Sequence, residues 1–394
     1  MSKWLRSIAE PVYRSSTKLS TILHGVRRCI RFIAWIIKTS FFLLVGEVGS
    51  KKRILLIYDT SSQPLSIGDI IIVQAASLAL VTKYQCESVD FVLLYDPLDP
   101  ISSDKTYSEI NNENVFYYLS SVLPISQINQ FLGSVMVLNS KDLLTKIIVD
   151  NAETYEVWPP SWRFASRDYL YYEIFDKVIY GYYKEFGQRI RLICRPFLLR
   201  WAKDYFIGNV FPQIPITINI RNNQAYQQHR NSNLDAWYQF FLHCESKFPV
   251  KFIIICSQSE IDKRFRKLSN VIFSKDIGAG IEQELALIQC SAFHMGVGSG
   301  PISMAWFGDK PYLMVNTKYP PGYFENEDML VSIGEGLSRF CFATEFQRIY
   351  SEVETASFLI EQFSIFMREV NMNEWQGQSG SSQNQKDSLS TWLR

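Results

Sequence analysis

The chain has 394 residues, 47% hydrophobic and 20% charged, the balance of a globular protein with room for about two domains and some appendages. Its net charge of +1 conceals an asymmetry: residues 1–50 hold eight Lys and Arg against Glu10 and Glu47, whereas the remainder has 32 basic and 37 acidic residues. That balance excludes the body as a general nucleic-acid binder, while the N-terminus, at +6, suits an anionic surface.

The first element in chain order is "VRRCIRFIAWIIKTSFFLLVGEVG", apolar enough to seek lipid but interrupted by Arg31 and Lys38. No uninterrupted apolar run reaches the roughly 20 residues of a spanning helix, and no small-residue cleavage site follows it. A basic helix lying in the membrane interface fits these residues best. A true span and a helix docked on the protein itself are the alternatives.

After Gly49 the pattern alternates. "RILLIYD" (53–59) has the length and continuous apolarity of a strand buried on both faces, and "SIGD" then opens the apolar helix "IIIVQAASLALVTKY". "SVDFVLLYD" (88–96) and "SVMVLN" (134–139) read as further strands. An aromatic-rich stretch from Trp158 to Phe211 reads as helical core, or as an interdomain surface or acceptor groove.

The alternation restarts with "IPITINI" (214–220). Leu234, Trp237, Tyr238, Phe241 and Leu242 follow at helical spacing, behind the capping residues Asn231, Ser232 and Asn233. "VKFIIIC", "NVIFS", the helix "IEQELALIQC", "AFHMGV", the helix "GPISMAWFG" and "KPYLMVN" complete a second unit. Strand–helix–strand order predicts an α/β protein with two Rossmann-like, doubly wound parallel sheets and a cleft beyond their carboxyl ends. The predicted segments are 1–50, membrane-associating; 51–205, the first lobe; 206–335, the second lobe; 336–372, a C-terminal helical region; and 373–394, a flexible polar tail. Val353, Ala356, Ile360, Phe363 and Met367 form the expected apolar stripe of the last helix.

The seven cysteines are scattered and lack CxxC spacing, which favours a reducing compartment over a disulfide framework or zinc site. The four histidines are equally dispersed, so no metal cluster is visible.

Three constellations carry candidate chemistry. In "GVGSGPIS", Gly298 and Gly300 permit a tight strand-to-helix turn around Ser299, and Pro301 suits a first helical position. First-turn amides there would seat a phosphate; the alternative is a packing elbow with no ligand. In "INIRNNQAYQQHRNSN", Arg221 lies where a strand emerges and Arg230 just before a capped helix, so their guanidinium groups suit a diphosphate. Solvated surface arginines are the bland reading, and His229 reads as an exposed loop residue. In "SIGDIIIVQAASL", Asp69 starts a helix at the sheet end bordering the cleft, where it can serve as a general base or simply complement the helix dipole.

Those motifs carry a resemblance. "SIGDIIIVQAASL" is similar to the Leu-Gly-Asp opening of the heptosyltransferase-like family, with Asp69 at the position of its acceptor base. "MGVGSGPISMAWFGDKPYLMV" is similar to that family's donor-phosphate turn: Ser299, Gly300 and Pro301 match, while Gly298 and Ser303 stand where the family has Asp and His. "ITINIRNN" resembles the His-x-Arg segment of fucosyltransferase-like enzymes, with Asn219 replacing the histidine and Arg221 matching the arginine.

The resemblance implies a GT-B glycosyltransferase that takes a sugar from a nucleotide-sugar donor without a metal or other cofactor. It delivers the sugar to a cell-surface glycan or lipid-linked acceptor. Asp69 is then the base, and Arg221, Arg230, Gly298, Ser299 and Gly300 hold the donor. With residues 1–50 as the membrane contact, the expected location is the cytoplasmic, inner face of a membrane. A polysaccharide pyruvyltransferase and a non-catalytic nucleotide-binding subunit of a glycan assembly complex are the competing readings.

Overall fold

The computed structural model describes residues 52–63, 65–95, 115–164, 170–224, 228–317 and 326–369. The membrane-associating segment 1–50 and the tail 373–394 lie outside the described residues.

The first lobe begins with β1 (Arg53–Asp59), buried at six of its seven positions as its apolar run requires. It leads through Ser66 into α1 (Ile67–Tyr84), where the Ser66 hydroxyl accepts from the Asp69 amide and caps the helix. This helix is long and apolar enough to cross a bilayer, yet 14 of its 18 residues are buried in the protein. β2 (Ser88–Leu94), α2 (Val115–Val122), β3 (Leu132–Leu138), α3 (Lys141–Asp150) and β4 (Tyr155–Trp158) follow. The four strands form one parallel sheet in the order β3-β2-β1-β4.

The aromatic-rich stretch becomes a π-helical segment (Leu170–Tyr180), α4 (Gly181–Phe186) and α5 (Pro196–Asn209). Part of it is buried: the Phe175 ring lies 6.0 Å from Trp306 and 5.5 Å from Phe340, centroid to centroid, whereas Phe186 and Phe197 are exposed.

The second lobe contains β5 (Ile214–Asn219), α6 (Leu234–Lys247), β6 (Val250–Ile255), β7 (Val271–Phe273), α7 (Ile281–Cys290), β8 (Phe293–Val297), α8 (Ile302–Trp306) and β9 (Tyr312–Val315). β10 (Leu330–Gly334) ends the segment expected as the second lobe, and the expected helical region 336–372 opens instead with β11 (Leu337–Phe340) and β12 (Gln347–Tyr350) before α9 (Ala356–Glu369). All of these strands join one sheet, β10-β11-β12-β9-β8-β5-β6-β7, parallel from β12 to β7 and closed by an antiparallel hairpin. The stripe of α9 also differs: Leu359, Phe363, Phe366 and Met367 are buried, while Val353 precedes the helix and is exposed.

One apolar core runs through both lobes, with Ile54 and Val73 of the first continuous with Phe175, Leu285 and Met304. A second core lies under α6 and α9 on the other face of the large sheet. Gly68 at the start of α1 meets Gly300 in the turn before α8, so the two lobes touch there backbone to backbone.

Candidate functional site

The site grows from two adjacent strands. β5 and β8 pair with Thr217 opposite His294 and Asn219 opposite Gly296. Strand alternation puts Ile216, Ile218, Phe293 and Met295 into the core under α6 and α9. Thr217, Asn219 and His294 therefore share the opposite face. All three are fully buried, so their polar groups must find partners inside the protein. Thr217 Oγ1 lies 2.9 Å from His294 Nδ1 and 2.9 Å from Ser291 Oγ. His294 Nε2 lies 2.7 Å from Asn219 Oδ1, and Asn219 Nδ2 donates to the Val297 carbonyl at 2.6 Å and the Ser299 hydroxyl at 2.7 Å. Burial pushes the His294 imidazole down to about 3, so it is neutral at any physiological pH.

The elbow after β8 departs from expectation in its amides. Those of Ile302, Ser303 and Met304 donate to the carbonyls of Ser299, Gly300 and Pro301, and α8 is a single short turn of helix. The expected array of first-turn amides is thus occupied within the turn, leaving Ser299 and the guanidinium groups as the groups suited to an anion. Gly300 has a packing duty: a Cβ there would sit 2.8 Å from Ile67 Cβ and 2.9 Å from the Gly68 amide nitrogen. Ser303, where the resembled family has histidine, is buried beside Gly68.

The predicted residues of the second lobe come together. Arg230 donates from Nη2 to the Gly298 carbonyl at 2.5 Å, which pins its loop over the elbow. Arg221 follows Asn219 by two residues, and its backbone is tied to Ser232 in both directions, N to Oγ at 3.1 Å and O from N at 2.8 Å. The Arg221 charge also acts on Glu260 beyond β6; burial raises the Glu260 pKa, and Arg221 and the Asn222 amide oppose that rise. His229 is exposed, as expected. Across the junction Asp69 is 5% exposed, one residue from the Gly68–Gly300 contact. Among the described residues no three His, Cys, Asp or Glu side chains converge as a metal site.

Three supporting residues were absent from the sequence expectations. Thr217 had a signal, alternating with Asn219 in an otherwise apolar strand, while His294 is a lone polar residue in its strand. Glu354 had none. Its buried carboxylate accepts from Trp237 Nε1 at 2.6 Å, the Asn233 amide at 2.9 Å and Asn316 Nδ2 at 3.3 Å. It thereby ties the start of α6 to the end of β9, although burial raises its pKa.

No family model matches the sequence, and no curated protein matches it. Among solved structures, the chain is similar to E. coli ADP-heptose lps heptosyltransferase II at 10% identity and a TM-score of 0.48, covering 81% of this chain and 99% of that one. A glycosyl transferase family 9 protein from Veillonella parvula is 11% identical with a TM-score of 0.45, covering 68% of this chain and 82% of that one. An E. coli heptosyltransferase crystallised with ADP is 11% identical with a TM-score of 0.42, covering 80% and 99%. These likenesses are loose, and the architecture rests on this chain's own strand order.

Proposed function

We propose that this chain is a glycosyltransferase that moves a sugar from a nucleotide-sugar donor, held in the second lobe, to a cell-surface glycan or lipid-linked acceptor, without a metal. One observation carries the reading: Asn219 bonds Ser299 and Arg230 bonds the Gly298 carbonyl just past β8, Arg221 follows β5 by two residues, and Asp69 adjoins Gly68, which meets Gly300. Guanidinium groups and a hydroxyl there stabilise the negative charge that develops on a departing nucleoside diphosphate. A carboxylate on the other side takes the proton of the attacking acceptor hydroxyl. Residues 1–50 precede β1 in the chain. On this reading they hold the enzyme at the inner face of a membrane while the junction stays open to substrates.

A thermal-shift series with nucleotides and nucleotide sugars, and phosphoenolpyruvate as a separate arm, tests the donor. Tight binding at a hundredfold excess over Kd raises stability by about 2.7 kcal/mol. A shift with phosphoenolpyruvate alone would overturn the donor assignment. Asp69→Asn is expected to keep the donor-induced shift while turnover falls about 10²- to 10⁴-fold; unchanged turnover would remove Asp69 from the mechanism.

A further inference from the structure

We infer that Thr217, His294 and Asn219 form a one-way hydrogen-bond relay that fixes the Ser299 hydroxyl as a donor toward an anionic ligand oxygen, which makes His294 a positioning residue of the donor site. The inference rests on the donor-site reading above and adds to it which groups set the polarity of the site.

Every hydrogen in the relay follows from elementary donor and acceptor chemistry. The Val297 carbonyl can only accept, so the amide nitrogen of Asn219, 2.6 Å away, must face it. The same nitrogen lies 2.7 Å from Ser299 Oγ, and its second N–H goes there. Asn219 Oδ1 can then only accept, which obliges His294 Nε2, at 2.7 Å, to carry the proton. A neutral imidazole protonated at Nε2 has a bare Nδ1, so Thr217 Oγ1, at 2.9 Å, must donate to it. Ser291 Oγ is within 2.9–3.1 Å of Thr217 Oγ1, the Ile288 carbonyl and the Phe293 carbonyl. Whichever of these takes its hydrogen, the direction from Thr217 onward is unchanged.

The chain of donors therefore runs Thr217 to His294 to Asn219 to Ser299. Because Ser299 accepts from Asn219, its own hydrogen is left to point out of the relay. Successive bonds in one direction polarise each other in a low-dielectric interior. The terminal hydroxyl is thus a strengthened donor, matched to a phosphate oxygen. The backbone is shaped around this route: a Cβ at Gly296 would fall 2.4 Å from the Asn219 carbonyl oxygen and 2.5 Å from Oδ1.

Two measurements on the full chain decide it. With ¹⁵N-labelled histidine, the buried imidazole is expected to be neutral and protonated at Nε2 before any ligand is added, and its Nε2 resonance should move when a diphosphate binds. A proton on Nδ1 would overturn the relay. Calorimetry with inorganic pyrophosphate, ADP, GDP and UDP then gives a double-mutant cycle. Ser299→Ala is expected to weaken binding about tenfold or more, the scale of a hydrogen bond to a charged group. Thr217→Val, which keeps the side-chain shape, should weaken binding in the wild-type background and add nothing in the Ser299→Ala background. Additive losses would mean that Thr217 affects binding independently of Ser299, and would overturn the relay. His294→Gln gives a second route to the same comparison if Thr217→Val unfolds. Failure of all four diphosphates to bind the wild-type chain would sink the donor-site reading; an Nδ1–H tautomer with binding intact would sink only the relay.

Discussion

At the scale of single residues the proposed site depends on buried groups behind the residues that would meet a ligand. Asn219 bridges β5 to the elbow only because Gly296 leaves its side chain room to cross. His294 holds that amide, and its burial has a consequence for stability. Its folded pKa of about 3 lies below its ordinary 6.5, so between these values the unfolded chain binds the extra proton. The stability it contributes is complete above pH 6.5 and is lost as pH falls toward 3. The advantage of the wild type over His294→Gln in urea unfolding should therefore shrink by about 1.4 kcal/mol for each pH unit below that point. A difference independent of pH would show that His294 titrates alike in both states. None of this was visible in "AFHMGV", because a lone histidine in a strand says nothing about its cross-strand neighbour. Arg221, Arg230 and Ser299, by contrast, stand out in the sequence as candidates, because they lie at a strand end, before a capped helix and in a glycine-rich turn.

At the scale of elements, apolar patterning succeeded wherever burial was complete. β1, β5 and β6 are mostly apolar and buried at nearly every position, and α1 is apolar nearly all round because it lies in the core shared by both lobes. Patterning failed at margins. β10 is largely exposed and β4 half-buried, so neither carries the apolar signal that betrays a strand. The stripe expected on α6 is rotated in the structure: Ala236, Trp237, Phe240, Phe241 and Cys244 are buried, while Leu242 is 43% exposed. The anchor of that helix is Glu354, from the far side of β12. Its two oxygens accept from three donors, a pattern that an amide with one acceptor oxygen cannot reproduce. Glu354→Gln is expected to cost about 1–3 kcal/mol in thermal or urea unfolding, the price of stranding a buried donor. Unchanged stability would mean that the carboxylate is dispensable to the clamp.

At the scale of the whole molecule, the two lobes meet glycine against glycine. Gly68 and Gly300 bring the start of α1 into direct contact with the start of α8, which sets the spacing between Asp69 and Ser299. Gly300→Val would push its side chain into Ile67 and the Gly68 backbone. A stability loss of about 1–3 kcal/mol is expected from such overpacking, together with weaker turnover as the lobes separate; full activity would show that the contact does not set the geometry. The N-terminal segment belongs to this scale too. Deleting residues 1–50 should abolish pelleting with anionic vesicles, and the full chain's pelleting should fall with added salt. Pelleting that survives the deletion would move the membrane contact elsewhere.

The sequence by itself determined that the chain builds two parallel α/β units, because continuous apolar strands alternating with helices have few other ways to bury themselves. It also located the polar strand ends and the glycine turn, since local backbone demands are written locally. Only the tertiary structure decided which of these meet, that the turn amides are occupied within the turn, and that buried Thr217 and His294 stand behind Ser299. The reason is physical: hydrogen-bond direction and close approach depend on neighbours brought together by sheet register and lobe packing, across separations of more than seventy residues that no local pattern records.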